Sequence, residues 1–156
     1  MKVAQVSNDT IKINNVPDEE LNGRKGAVVK VLGCGLCGSD IIKFEHKTVP
    51  AGTVLGHEIV ARVLEINSDT DFKPGDVIVT THHIPCGTCV YCKNGNVSMC
   101  RHFKETNIFP GGFSEKVFLS EEHLQNVAYL KPENLTEMEA SFYEPLSCCV
   151  RAVRRA

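Results

Sequence analysis

The chain has 156 residues, 42% of them apolar and 23% charged, with a formal net charge of -2. This is one domain's length with enough apolar residues for a core. The balanced charge gives no electrostatic reason to bind nucleic acid or a membrane surface, and no apolar run nears the length that spans a bilayer.

The opening "MKVAQVSNDT" lacks the apolar centre of a secretory signal, so a cytoplasmic location is expected. There the eight cysteines stay reduced and read as metal ligands or reactive groups rather than as disulfides. Next comes "GAVVKVLG" at 26–33, valine-rich and alternating, which predicts a strand. Directly after it Gly33, Gly35 and Gly38 spell G-x-G-x-x-G, with Glu58 twenty positions beyond Gly38. That is the outline of a dinucleotide-binding loop. The geometry argues against it: Pro50 breaks the intervening helix early, and Glu58 begins a strand where the fingerprint's acid should end one.

"SDIIKFEHK" predicts a short helix capped by Ser39 or Asp40 and ended by Pro50 and Gly52. "HEIVARVLEI" (57–66) alternates, with Ile59, Ala61 and Val63 on one face and Val60, Arg62 and Leu64 on the other. "FKPGDVIVT" is a Pro-Gly turn leading into a strand, and "FSEKVFL" and "VAYL" read as strands. Thr136 and Glu139 have the spacing of a capping box for a helix to about Phe142. Pro145 then suits the first turn of a second helix, with Leu146, Cys149, Val150 and Val153 as one apolar stripe. Arg151, Arg154 and Arg155 lie mostly off that stripe and read as a solvated basic face. Strands first and helix last predict a small barrel or sandwich with a helical exit, not alternating βαβ units.

"PCGTCVYCKNGNVSMC" places Cys86, Cys89, Cys92 and Cys100 as C-x2-C-x2-C-x7-C. Each C-x2-C step can turn two sulfurs toward one point, and Gly87 and Gly95 permit the tight turns. Four thiolates about 2.3 Å from zinc make a closed, structural site contributing on the order of 10 kcal/mol to folding. Unpaired core cysteines, disulfides and an iron–sulfur cluster are the alternatives. His82, His83 and His102 flank the cluster but are not needed to complete it.

Cys34, Cys37, His57, Glu58, Glu144, Cys148 and Cys149 remain. A cysteine, a histidine and a carboxylate far apart in sequence suit a catalytic zinc that keeps one position open. In order, "CGLCGSD", "GHE", "FKPGDVIV", "CGTCVYC…C", "GGFSEKV" and "EPLS" resemble the zinc-dependent medium-chain alcohol and polyol dehydrogenases. The resemblance is to the sorbitol dehydrogenase-like branch, from about residue 24 to the end. It implies a mainly β fold, a GroES-like partly open β-barrel over 1–143 with a zinc lobe at 82–102, and a connecting helix at 144–156 that would lead to a Rossmann domain.

The resemblance also implies roles. Cys37 and His57 match the first two catalytic zinc ligands, with Cys34 only a neighbour. Glu144 matches the third ligand position, and Glu58 the carboxylate beside the histidine, a ligand in some members. Ser39 matches the hydroxyl that contacts the substrate alcohol and begins the proton relay. Glu144 and Ser39 could instead be helix caps, and Cys148 and Cys149 read as packing residues, with Cys148 near the site. Ile42 stands where many members have a relay histidine. Two zinc ions, an alcohol or polyol substrate, a homo-oligomer (dimer or tetramer) and NAD or NADP are implied for a full-length protein. No second glycine fingerprint occurs before Ala156, so the chain as given is expected to bind zinc but to bind NAD(P) poorly. A stand-alone zinc module and a zinc-free reductase are the competing readings.

Overall fold

A computed structural model describes all residues from Met1 to Ala156. It opens with a hairpin that the sequence patterns do not reveal. β1 (Lys2–Ser7) pairs antiparallel with β2 (Thr10–Asn15), Ser7 facing Thr10 across a two-residue turn in which Asn8 has φ of 48°. Asparagine tolerates that left-handed conformation, which is why it suits such turns. β2 is exposed along its whole length, so no alternating burial pattern is written into it.

The body is a five-stranded antiparallel sheet in the order β6-β3-β4-β5-β7. Its strands are β3 (Gly26–Gly35), β4 (Glu58–Asn67), β5 (Val77–Thr80), β6 (Lys116–Ser120) and β7 (Ala128–Leu130). All five strands expected here form, the first two starting within a residue of their predicted positions. β3 and β4 make the long central ladder, in which Val29 faces Val63 and Cys34 faces Ile59. The isolated bridges Val3 to Ser114 and Gln5 to Val54 tie the hairpin to the body. The sheets are open rather than closed on themselves.

β4 is apolar on both faces, as its sequence implies. Ile59, Ala61 and Val63 enter the main core with Ala27, Val29, Ile78, Val117 and Leu119, while Val60 packs on the other side with Val79 and Ala140. Arg62 is the exception that reaches out, donating to the Gly75 carbonyl at 2.9 Å.

The helices are short. α1 (Gly38–Glu45) is capped by Cys37, not by Ser39 or Asp40. The Cys37 sulfur accepts from the Ser39 N–H, and Asp40, three positions on, accepts from the Cys37 N–H. α1 ends with Lys47 in the left-handed region, before Pro50 is reached. In the cysteine lobe lie α2 (Val90–Lys93), a 3-10 turn (Val97–Met99) and α3 (Arg101–Glu105). α4 (Glu121–Asn126) is unpredicted: Ser120 caps it, but only His123 and Leu124 are buried, too few to mark a period. α5 (Glu137–Ala140) carries the expected capping box of Thr136 and Glu139, and stops two residues before Phe142. α6 (Tyr143–Val153) has Pro145 in its first turn, as expected. No helix is long and apolar enough to cross a membrane.

Ile59 is among the largest side chains of this core and is almost fully buried. Ile59→Ala is expected to cost about 2–5 kcal/mol, because the rigid sheet on both sides cannot collapse onto the space left behind. A fall in the urea midpoint at constant slope is the measurement.

Candidate metal centre

The first cluster is the cysteine lobe. All eight cysteines are free thiols, and the sulfurs of Cys86, Cys89, Cys92 and Cys100 lie within 4.8 Å of one another. α2, the 3-10 turn and α3 wrap the loop around that point, with Gly87 and Gly95 both at φ of 70°. Backbone N–H groups already aim at the sulfurs: Cys89 at Cys86 Sγ (3.4 Å) and Cys86 at Cys100 Sγ (3.5 Å). The Thr88 hydroxyl and the Cys89 and Thr88 N–H groups hold the Cys86 thiol low, whereas burial and the adjacent Cys89 sulfur push Cys92 high. Four thiolates this close repel one another, so a cation between them is what lets all four ionise. The donor set fits zinc in a closed shell.

Two arginines hold this lobe against α6. Arg151 donates to Gly95 O (3.2 Å) and Ser98 Oγ (3.3 Å), and Arg155 to Gly95 O (2.6 Å) and Asn96 Oδ1 (2.7 Å). The solvated basic face read from the sequence is therefore corrected for these two residues; their partners are 53–60 positions away and invisible to local patterning. The stripe of Leu146, Cys149, Val150 and Val153 exists on α6 but is exposed, and Cys148 is exposed with it rather than packed.

The second cluster gathers at the ends of β3, β4 and β5. Donor atoms of Cys37, His57 and Glu58 lie within 4.8 Å of one another. Those of His57, His82 and Glu144 do the same, so His57 belongs to both sets. The structure thus brings Cys37, His57 and Glu58 into one set and His57 and Glu144 into the other. It adds two that sequence reasoning passed over. His82 belongs here and not beside the cysteine lobe. Asp40 is the other, 2% exposed at the base of α1. Ser39 is half-buried next to Cys37, at the start of the same helix. Cys34 is half-buried against Gly56 and Gly112, and removal from water pushes its thiol up to about 12, which leaves it protonated and a neighbour.

Asp40 organises the cluster. Its Oδ1 lies 3.4 Å from His57 Nδ1 and accepts from the Gly56 N–H at 3.3 Å, while Oδ2 accepts from the Cys37 N–H at 3.3 Å. Burial opposes a charge on His57, but the Asp40 contact outweighs it and lifts the imidazole to about 9. Burial likewise opposes the Asp40 carboxylate, and the same contact holds it below its ordinary value. A carboxylate on one ring nitrogen fixes the tautomer and leaves Nε2 as the metal-facing donor. Glu144 behaves otherwise than its helix N-terminus suggests. Burial, then the carboxylates of Glu58 and Asp40, push its pKa up against the pull of His57. A cation among these groups reverses that balance. One thiol, one imidazole and carboxylates around an opening fit a zinc site with a free position.

An antiparallel open sheet thus carries two groups of candidate metal donors, one of four thiols and one of mixed type. Residues 23–129 match the family model of the alcohol dehydrogenase GroES-like domain, and the chain belongs to that family, in the zinc-dependent alcohol and polyol dehydrogenases. It is 34% identical over 142 residues to sorbitol dehydrogenase of Halalkalibacterium halodurans, covering 88% of this chain and 40% of that protein. Among solved structures, it is similar to a Sinorhizobium meliloti protein described as a zinc-binding dehydrogenase and bound to NADP. The TM-score is 0.80 and the identity 32%, over 99% of this chain and 45% of that one. The alcohol dehydrogenase TADH from Thermus sp. ATN1 gives a TM-score of 0.73 at 28% identity, over 91% and 43%. The chain spans about two fifths of the length of the curated relatives it matches.

Two outcomes follow from the contacts. Asp40→Ala removes the brace on His57 and is expected to weaken zinc binding at the second cluster by about 10- to 100-fold. Competition with a chelator measures it, while the cysteine lobe keeps its metal. Arg151→Ala with Arg155→Ala removes four hydrogen bonds worth about 0.5–1.5 kcal/mol each and is expected to speed zinc release from the cysteine lobe about ten-fold or more. Stopped-flow chelation follows the rate.

Proposed function

We propose that this chain is the catalytic part of an NAD(P)-dependent alcohol or polyol dehydrogenase, working with a nucleotide-binding unit elsewhere in a longer protein. In this reading Cys86, Cys89, Cys92 and Cys100 hold a structural zinc, and Cys37, His57, Glu58 and Glu144 surround a catalytic one. The observation that carries it is the buried Asp40–His57 pair set beside the Cys37 thiol and opening toward Glu144. A structural site needs no such oriented imidazole next to an open position.

When bound, zinc supplies the Lewis acidity that makes an alcohol acidic, and a nicotinamide supplies the hydride acceptor. The protein's own residues do the rest. Cys37 and His57 hold their donors still, because one Asp40 carboxylate anchors both the Cys37 backbone and the His57 ring. The Cys37 sulfur is further fixed by the Ser39 N–H at 3.4 Å. Ser39 takes the proton of the substrate hydroxyl and hands it on, from a half-buried position at the first turn of α1. Glu58 and Glu144 hold negative charge on either side of His57 and offset the charge of a bound cation. The similarity to sorbitol dehydrogenase favours a polyol over a simple alcohol. A stand-alone zinc module would account for the cysteine lobe alone and gives the Asp40–His57 pair no purpose.

Cys37→Ser in the full-length protein is expected to lower kcat for alcohol oxidation by a factor of about 10³ or more, since activation of the substrate is lost. Its thermal unfolding should stay close to that of the parent, and its cysteine lobe should retain zinc. Activity surviving in this variant would sink the assignment.

A further inference from the structure

One atom in the site has no partner. His82 Nδ1 is buried and makes no hydrogen bond. Such an orphan costs about 1–3 kcal/mol, so a folded protein that keeps one has a use for it. The ring has little freedom to find another partner. It stacks between His57, with centroids 4.4 Å apart, and His83, at 3.7 Å. The His82 carbonyl accepts from His123 Nε2 at 3.2 Å, and Thr81 Oγ1 donates to the His83 carbonyl at 3.1 Å, so the segment after β5 is pinned on both sides.

The atom that His82 Nδ1 faces is Glu144 Oε1, at 3.8 Å. That is too long for a hydrogen bond. It is close to the separation of two ligands on a small cation: donors about 2.1 Å from a tetrahedral zinc lie roughly 3.4 Å apart. His57 completes the triangle, with all three donor atoms within 4.8 Å of one another.

We propose that His82 is a further ligand, through Nδ1, of the metal held at His57. This rests on the reading of the second cluster as a zinc site. His57 has one donor to give, because Asp40 occupies its Nδ1. A single cation at His57 therefore draws on two donor sets that share that residue, Cys37 with Glu58 and His82 with Glu144. That is five donors around an ion that takes four. The surplus makes His82 and Glu144 the exchangeable ligands. His82 closes the shell when no substrate is bound and yields to an incoming alcohol oxygen, with no net loss of bonds to the metal.

The test is X-ray absorption and visible absorption of the full-length protein with cobalt(II) exchanged into the second cluster, together with zinc affinity by chelator competition. The cysteine lobe contributes no imidazole, so the imidazole count reports on this cluster alone. Two imidazoles per cobalt without substrate, falling toward one when a polyol is added, is the expected result. His82→Phe should give one imidazole in both states, a shifted visible band and zinc binding weaker by about 10-fold or more. One imidazole in the unaltered protein overturns the proposal, and that measurement holds even if His82→Phe does not fold. Cobalt bound with one imidazole, with alcohol oxidation intact, removes His82 while leaving the zinc reading standing. A protein that takes up metal only in the cysteine lobe removes both.

Discussion

Everything at the second cluster depends on one buried carboxylate. Asp40 is out of water, where an unpaired charge is costly, and it is kept ionised by three contacts, one from the Cys37 cap of its own helix and two from the Gly56–His57 segment. It ties the Cys37 cap of α1, the Gly56 turn and the His57 ring into one body. The metal donors of this site come from strand ends and helix starts that are 20 to more than 100 positions apart in the chain. Independent loops would place them loosely. A shared anchor converts them into one preorganised set, in which moving the histidine means moving the cysteine.

The rest of the fold supplies rigid ends for that anchor to join. β4 is packed on both faces, so His57 and Glu58 at its start cannot tilt. α6 presents Glu144, and its position is set elsewhere: Arg151, two turns farther along the helix, and Arg155, just past its end, grip the loop around Gly95. The cysteine lobe is thereby a brace for the helix that carries Glu144. A closed metal site that does no chemistry still shapes the open one, because loosening the Gly95 loop loosens α6.

The strands legible in the sequence are those whose apolar residues are buried. β3, β4 and β5 were legible because valine and isoleucine are concentrated in them and pack into the core. β1 and β2 were not, since β2 buries nothing, and α4 was not, since one turn and a half with two buried residues has no period. The metal donors were legible from type and spacing. Asp40 was read only as a cap because an aspartate at a helix start is ordinary, and its partners Gly56 and His57 lie 16 and 17 positions on. His82 was set aside as a bystander of the cysteine cluster by proximity in sequence: it precedes Cys86 by four residues, yet its ring lies against His57. Pairing between distant segments decides such cases, and local pattern does not report it.

The G-x-G-x-x-G run shows the same limit from the other direction. None of Gly33, Gly35 and Gly38 has a positive φ, so none is there to permit a sharp bend. Gly35 is required for space: a Cβ on it would lie 2.0 Å from Glu58 Oε2. Gly38 faces open room at the first turn of α1, where no atom lies within 4 Å of a Cβ position. In a nucleotide loop glycines let a phosphate approach the backbone. Here Gly35 lets a carboxylate approach it, and Gly38 leaves the mouth of the site unobstructed beside Ser39. Glycines at this spacing signal that something polar comes close to the main chain. Which group comes is decided by the strand paired across from them.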